Sequence, residues 1–553
     1  MAIKKKRTGA LVLFLLFVVL LKSNGQVSII PKPVSVNLKK GFFIIDAHTA
    51  IQYQGRNKDL ALLSNYFSNY IENISGYNLL INKKGSKTIH FVLTNIDSLG
   101  KEGYQLSVSP SAILIEANNK AGLFYGLQSL IQTLPAIRTN EMLQIPAMDI
   151  TDYPQFKWRG FMLDVSRHFY SVKAIKEIID LMALYKMNVF QWHLCDDEGW
   201  RLEIKKYPRL TSIGAWRKEI PGSVFYKKDS TLKGKPYVYG GYYTQQQAKE
   251  VVAYAKARNI TVIPEIEMPG HSGAALAAYP QFSCTQHAQE VPSSAIFNGV
   301  VDLAKINFNY CAGNDSSFLF LQDILTEVMA IFPSEYIHIG GDEVDKSYWK
   351  KCPKCQRRIQ KEGLKDEEGL QSYFINRIAK FLNSHHRKLL GWDGILEGGL
   401  TPSATVMSWR GEKGGIAAAK LGHDVVMSPS DPLYFNRYQA GPEGEPYAAK
   451  FSINTLERVY NYNPYTKELN GIERNYILGG ECALWTEFIY SVEGLEYMLL
   501  PRMPAVAEAL WSKPENKNFD DFVTRLNQWH FNSWEQRGIR FYQGYWIENI
   551  KRK

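Results

Sequence analysis

Between about residues 150 and 515 the sequence repeats one pattern eight times, a short apolar run and then, in most repeats, an amphipathic stretch. The apolar runs are residues 160–165, 188–194, 261–266, 336–339, 387–392, 404–409, 424–428 and 476–481. Runs this short and this apolar read as strands buried on both faces. Residues 172–185 put Ile175, Ile178, Ile179, Met182 and Tyr185 on one face of a helix, and 245–257, 318–331, 370–382 and 416–421 are spaced alike. Before the eighth run there is only a short helical signal, at 454–460. Eight such repeats without a dinucleotide glycine fingerprint predict an α/β fold, a closed (β/α)8 barrel rather than an open doubly wound sheet. A long apolar helix over 494–511 would close the ring, 520–540 reads as a further helix, and the aromatic tail 541–546 is expected to pack.

Residues 26–150 differ in pattern. After an extended, proline-punctuated start at 27–33 they predict strands at 42–45, 88–93, 104–108 and 112–117, and helices at 59–74 and 122–133. This α+β unit carries no paired acids, nucleophile constellation or metal cluster, so it reads as a supporting domain. The expected plan is a leader at 1–25, the supporting domain at 26–150, the barrel at 151–520, and a C-terminal helix and tail at 521–553 packed on the barrel.

The leader rests on Lys4, Lys5, Lys6 and Arg7, an apolar run from Ala10 to Leu21, and small residues at Ser23 and Gly25 ahead of Gln26. The run is too short for an easy membrane span. Cleavage would leave no other spanning stretch, and the product would be exported, periplasmic or extracellular. Net charge is +11, of which Lys4, Lys5, Lys6, Arg7 and Lys22 supply five, leaving +6 after Gln26. Those charges are scattered, so nucleic acid is not an expected partner. Of the six cysteines, Cys284 and Cys311 bracket one loop region and are a candidate disulfide. Cys352-Pro-Lys-Cys355 has the spacing of a small closed loop, a zinc half-site or a redox pair. A structural zinc site needs a second ligand pair, so a disulfide or two free thiols is the better reading. Cys195 and Cys482 sit in strand-like runs and read as core.

A barrel of this kind places its active site at the C-terminal ends of the strands. The predicted strands end in, or are followed by, residues rich in acids, histidines and tryptophans. They are Asp164 to His168, His193 to Asp197, Glu265 to His271, Asp342-Glu343, Trp392-Asp393, Trp409-Arg410, Tyr434 to Asn436, and Glu481 to Glu487. Singly, each has a structural explanation: Asp342-Glu343 or Asp196-Asp197 as helix caps, His193 and His271 or the tryptophans as core. Together they describe a cleft. Indole faces stack on sugar rings while carboxylates and arginine bind hydroxyls, so the composition is that of a carbohydrate site. The sequence has no phosphate-cradling glycine loop and no nucleophile elbow. His193, Asp196, Glu267 and His271 match no zinc motif. No cofactor and no metal are expected.

The segment His338-Ile-Gly-Gly-Asp-Glu343 resembles the signature of glycoside hydrolase family 20, the β-N-acetylhexosaminidases. Trp158 to His168, Phe190 to Asp197, Pro264 to His271 and Gly480 to Glu487 are similar to further motifs of that family, in its order. The resemblance covers about 150–515 and, more loosely, the preceding domain. It implies exo-acting, retaining, substrate-assisted hydrolysis of terminal β-linked GlcNAc or GalNAc, in which the acetamido oxygen of the sugar attacks the anomeric carbon. Glu343 would be general acid and then base, Asp342 would orient the acetamido group, and Tyr434 would donate to its oxygen. Asp342 would be ionised and Glu343 protonated. Substrate contacts would come from Arg159, Asp196, His271, Trp392, Trp409, Asn436, Trp485 and Glu487. Glu267 and His271 would form a relay behind Glu343, with His193 nearby. Glu267 stands where many relatives have Asp, and Asn436 where Tyr-x-Asp is usual, which bears on the choice between gluco and galacto sugars. The expected partner is a glycan or chitooligosaccharide, and a homodimer stays open. The alternatives are a catalytically silent sugar-binding protein on the same scaffold, or a variant that releases a disaccharide or a sulfated sugar.

Overall fold

The structure is a computed structural model that describes residues 27–55, 57–219, 237–293 and 306–545. The expected leader and the end of the aromatic tail lie outside those residues. No helix among the described residues is long and apolar enough to cross a membrane.

All eight predicted barrel strands form. In chain order they are Trp158–Asp164, Val189–His193, Thr261–Glu265, Tyr336–His338, Lys388–Trp392, Thr405–Ser408, Val425–Met427 and Ile477–Leu484. They close into one parallel barrel in sequence order, strand eight pairing with strand one from Gly479↔Trp158 to Leu484↔Leu163. Their continuous apolar character follows from burial on both faces, by helices outside and by side chains inside. Trp158, Met162, Ile263, Leu390, Met407, Val426 and Ala483 fill the interior as a core separate from the outer one. Helix starts obey local chemistry. Ser171 accepts the N–H of Ala174 at the head of Val172–Leu184, and Thr244 with Gln247 forms a capping box for Gln245–Ala257.

Register decides what gathers at the top. Asp164 pairs with His193, His193 with Glu265, Glu265 with His338, and His338 with Leu390. One polar layer therefore crosses four strand ends at a single level.

The supporting domain is a seven-stranded sheet with two helices, Lys58–Ser75 and Lys120–Ile131. Its strand Leu143–Asp152 pairs antiparallel with Ser35–Ile45 and with Tyr104–Val108. The domain thus runs through Asp152, past the boundary expected at 150. Two other expectations change. The helix over 494–511 is broken at Pro501 into Val492–Leu499 and Arg502–Trp511, because proline cannot donate the helical hydrogen bond. Residues 520–540 form Phe519–Arg525, a π turn at Leu526–His530, and Phe531–Gln536 rather than one regular helix.

Arg159 also corrects a prediction. It enters strand one from the barrel's N-terminal end and is 0% exposed. Its guanidinium donates to Glu102 at 2.9 and 3.0 Å, to the Tyr125 hydroxyl, and to the carbonyls of Phe156 and Lys186. Five N–H groups meet five acceptors, so it has nothing left for a ligand. Arg159 docks the supporting domain onto the barrel floor.

Candidate active site

The turn after strand four is built by backbone geometry. Gly340 and Gly341 have φ of +67° and +91°. A Cβ at Gly340 would lie 1.6 Å from Glu267 Oε2, and one at Gly341 would lie 2.4 Å from Ile395 Cγ2. Only glycine fits either position. The turn buries Asp342, 9% exposed, and swings Glu343 outward with its side chain 59% exposed. Glu343 itself has φ of +48°, a conformation that costs a non-glycine residue on the order of 1 kcal/mol and that clusters at functional sites. The helix-cap reading of this pair fails, since the next helix, Ser347–Lys351, begins after Lys346.

Facing Glu343 is His271, the other strained residue at the site, with φ of +44°. Its Nε2 lies 3.6 Å from Glu343 Oε2 and 3.9 Å from Asp342 Oδ2. Its Nδ1 lies 3.1 Å from Asp196 Oδ1 and 3.2 Å from Asp197 Oδ2. Burial works against charge on this ring, yet Asp196, Asp197 and Glu343 raise it well above the usual histidine range, so it is an imidazolium at neutral pH. Asp196 is 2% exposed and also meets His193 Nε2 at 2.9 Å and Arg167 at 2.8 Å. With those partners it cannot reach a sugar, contrary to its predicted role, and holds His271 instead. Likewise His271 acts on Glu343 rather than on a ligand. Asp197 accepts the N–H of Gly273 and so does cap a helix, Gly273–Ala278, from the neighbouring connection.

Glu267 is buried beneath the Gly340 turn, 3.8 Å from His193. The acids behind His271 are Asp196 and Asp197, so Glu267 is not in the predicted line to Glu343. Burial, with Asp342 and Glu265 nearby, keeps its carboxyl well above the usual range. Glu265 is the opposite case. Burial penalises its charge, but His338 and His193 hold it well below the usual range. His193 is likewise penalised by burial but raised to about 10 by Glu265 and Asp196.

The expected order of the central pair concerns the substrate-bound site, and the free protein biases the two carboxyls the other way. Burial, aided by Glu265 and Glu343, pushes Asp342 up to about 6, while the contact with His271 lowers Glu343. In the free protein the last proton therefore resides on Asp342.

Beside Asp342 stands an aromatic box. Trp409 lies parallel to Tyr434 with centroids 6.4 Å apart, and Trp485 is 6.1 Å from Tyr434 and 5.9 Å from Trp392. Trp392 is almost wholly buried and donates to Glu265 at 2.8 Å, so it forms the floor beneath the others rather than a wall. Asp393 accepts the backbone N–H groups of Trp409 and Arg410 and fixes that wall. Burial, with Asp342 close by, keeps the Tyr434 hydroxyl protonated far above neutral pH.

Sequence reasoning passed over Arg167. Its nitrogens meet Asp164 at 3.3 Å, Asp196 at 2.8 Å and Glu198 at 2.9 Å, and its guanidinium lies 5.2 Å from the Trp485 ring. Glu487 is close enough to raise Arg167 electrostatically. The signal was the position: Arg167 follows strand one, whereas Arg159 precedes its interior. The strand from Arg159 to Asp164 alone spans about 16 Å. Asp342 Oδ1, Trp409 Nε1, Asn436 Oδ1 and Glu487 Oε2 are buried with no protein hydrogen-bond partner. Such atoms are costly unless a ligand or solvent satisfies them.

None of the six cysteines is joined in a disulfide, so the Cys284–Cys311 bond is not formed, and Cys195 and Cys482 are buried in the core.

Residues 156–514 match the catalytic domain of glycosyl hydrolase family 20, and residues 26–153 match domain 2 of that family. A β-hexosaminidase of Porphyromonas gingivalis is 44% identical over 510 residues, covering 91% of this chain and 62% of that protein. A β-hexosaminidase of Vibrio furnissii is 36% identical over 487 residues, covering 87% of this chain and 76% of that protein. Among solved structures, an exo β-N-acetylglucosaminidase of Vibrio harveyi in complex with N-acetylglucosamine superposes with a TM-score of 0.80 at 31% identity. It covers 93% of this chain and 78% of that one.

Proposed function

The chain belongs to glycosyl hydrolase family 20, whose relatives here are β-hexosaminidases, and from that premise we propose that it is an exo-acting, retaining β-N-acetylhexosaminidase working by substrate-assisted catalysis. The observation that carries this is the placement of Asp342 and Glu343. They are consecutive, one buried beside the aromatic box and one turned outward. A conventional retaining pair faces across the glycosidic bond at about 5 Å, which neighbours on one strand end cannot do. They can serve two atoms on the same side of one sugar.

The terminal sugar sits in the box with its acetamido methyl between Trp409, Trp485 and Tyr434. Its carbonyl oxygen attacks the anomeric carbon as Glu343 protonates the glycosidic oxygen, and the bond to the aglycone breaks. Asp342 accepts the acetamido N–H and stabilises the positive charge of the oxazolinium formed. Tyr434 donates its hydroxyl to the acetamido oxygen. Glu343, now anionic, takes a proton from water as the water oxygen attacks the anomeric carbon, the bond from that carbon to the acetamido oxygen breaks, and the original configuration is restored. Glu487 Oε2 and the N–H groups of Arg167 left over from its three carboxylate contacts suit the outer hydroxyls.

The scheme requires substrate to invert the free-state bias of the two carboxyls. Acetamido N–H donation favours the Asp342 anion. Covering Glu343 with sugar removes its water and favours its neutral form. Binding thus favours the neutral form of Glu343 and the anion of Asp342.

The test is hydrolysis of a chromogenic β-GlcNAc glycoside, with the anomer first released identified by NMR and products from chitooligosaccharides followed in time. Retained β-product, monosaccharide release, and tight inhibition by a thiazoline analogue of the intermediate are expected. An inverted product, or indifference to the thiazoline, would overturn the mechanism.

A further inference from the structure

Four cysteines from two separate connections meet at one point, and the established chemistry of the family site does not use them. The Sγ atoms of Cys284, Cys311, Cys352 and Cys355 all lie within 4.8 Å of one another. Cys284–Cys355, Cys311–Cys352 and Cys311–Cys355 are each 3.7 Å apart. A tetrahedron with zinc–sulfur arms of about 2.3 Å has edges of about 3.8 Å. The spacing matches that edge.

The backbone brings the two halves together as a built feature. Ser283 bridges Tyr310, and the Cys311 N–H donates to the Phe282 carbonyl at 2.8 Å, which sets Cys284 beside Cys311. Cys352 sits at the N-cap of the helix Pro353–Lys361, and Cys355 lies in its first turn. Gly313 lets the two knuckles touch. A Cβ there would lie 2.2 Å from the carbonyl carbon of Lys354 and 2.4 Å from the Cys355 nitrogen. Cys311, Cys352 and Cys355 are buried and Cys284 partly so. The same helix carries Lys354, Arg357 and Lys361, whose charge offsets that of a metal tetrathiolate.

We infer that Cys284, Cys311, Cys352 and Cys355 form a structural zinc site that clamps the connection after strand three to the connection after strand four. The pair that Cys352 and Cys355 lack in sequence is supplied by the fold. The choice of zinc follows from four soft sulfur donors in a closed tetrahedral set. The clamp joins the connection bearing His271 to the one bearing Asp342 and Glu343. Between the cluster and those residues, Trp349 Nε1 donates to the Tyr310 carbonyl at 3.0 Å, and the Tyr310 N–H donates to the Pro269 carbonyl at 2.9 Å. The inference is independent of the hydrolase reading, because metal content can be measured whether or not the chain cleaves a glycoside.

The test uses the full chain, produced without a polyhistidine tag in zinc-supplemented medium. Elemental analysis should find one zinc per chain. Denaturation with a chelator should expose six titratable thiols, and refolding with Co2+ should give the bands of a tetrahedral cobalt tetrathiolate. Replacing both Cys352→Ser and Cys355→Ser should lower bound metal at least about tenfold. Two titratable thiols and no metal would mean two disulfides and overturn the proposal. Six thiols with neither zinc nor the cobalt bands would overturn it equally. Both readouts use the wild-type chain, so a variant that fails to fold does not decide the matter.

Discussion

Both ends of the barrel bury charge and yet are built on opposite terms. At the N-terminal end Arg159 spends every N–H on a protein acceptor, and Lys186 is paired with Asp152 at 2.8 Å and with the Tyr104 hydroxyl at 3.0 Å. At the C-terminal end Asp342, Glu487, Asn436 and Trp409 keep buried polar atoms without protein partners. Burial of a charge is therefore no guide to function on its own. At Arg159 full saturation marks a joint between domains, while the unpartnered atoms of Asp342 and Glu487 suit a ligand.

If that contrast is right, substitutions at the two ends should separate stability from chemistry. The largest effect is expected for Glu343→Gln, a loss of about 10³–10⁴-fold in kcat on a chromogenic glycoside, because it removes the general acid and base. Its melting temperature should barely move, since the side chain is exposed. A parallel loss of stability would blur the contrast.

Arg159→Met should do the reverse. Leaving Glu102 without its partner should cost about 3–5 kcal/mol of stability in denaturant unfolding, with kcat per folded molecule unchanged. A change in KM with stability intact would return Arg159 to the binding site and break the comparison.

Tyr434→Phe keeps the box and removes one donor to developing charge, so kcat should fall about 10–10²-fold with little change in folding.

The pH profile sharpens the picture of the central pair. The active free form carries one proton on Asp342 and Glu343 together, and its last proton leaves at about 6. The sign follows: above about pH 6 that proton is lost and kcat/KM should fall roughly tenfold per unit. His271 should not contribute to this limb, because it stays protonated well above the ordinary histidine range. A limb that persists unchanged in Asp342→Asn would assign it elsewhere.

The smallest effect is expected at Asn436. Asn436→Asp restores a charged acceptor and should alter the ratio of GlcNAc to GalNAc hydrolysis by less than about tenfold, near the difference between a neutral and a charge-assisted hydrogen bond.

How much of this was legible can be judged residue by residue. The eight strands were, because a strand buried on both faces leaves a continuous apolar run that needs no partner to be recognised. The Gly-Gly-Asp-Glu turn was, because glycine pairs mark a backbone few other residues adopt. Arg159 was misread because a motif gives order along the chain but not which end of a strand a side chain leaves by. The helix over 494–511 was overdrawn because apolar periodicity was allowed to run across Pro501.

What the sequence determined by itself, then, is periodicity and composition: a ring of eight parallel strands and acids, histidines and tryptophans at the strand ends. These are local properties, carried by neighbours in the chain. What only the tertiary structure decided are the pairings between residues far apart. Register sets Asp164, His193, Glu265 and His338 in one layer. Packing turns Asp342 in and Glu343 out and so reverses their proton affinities, since desolvation depends on neighbours from every strand. The fold likewise carries Cys284 and Cys311 across to Cys352 and Cys355, a convergence that no spacing along the chain encodes.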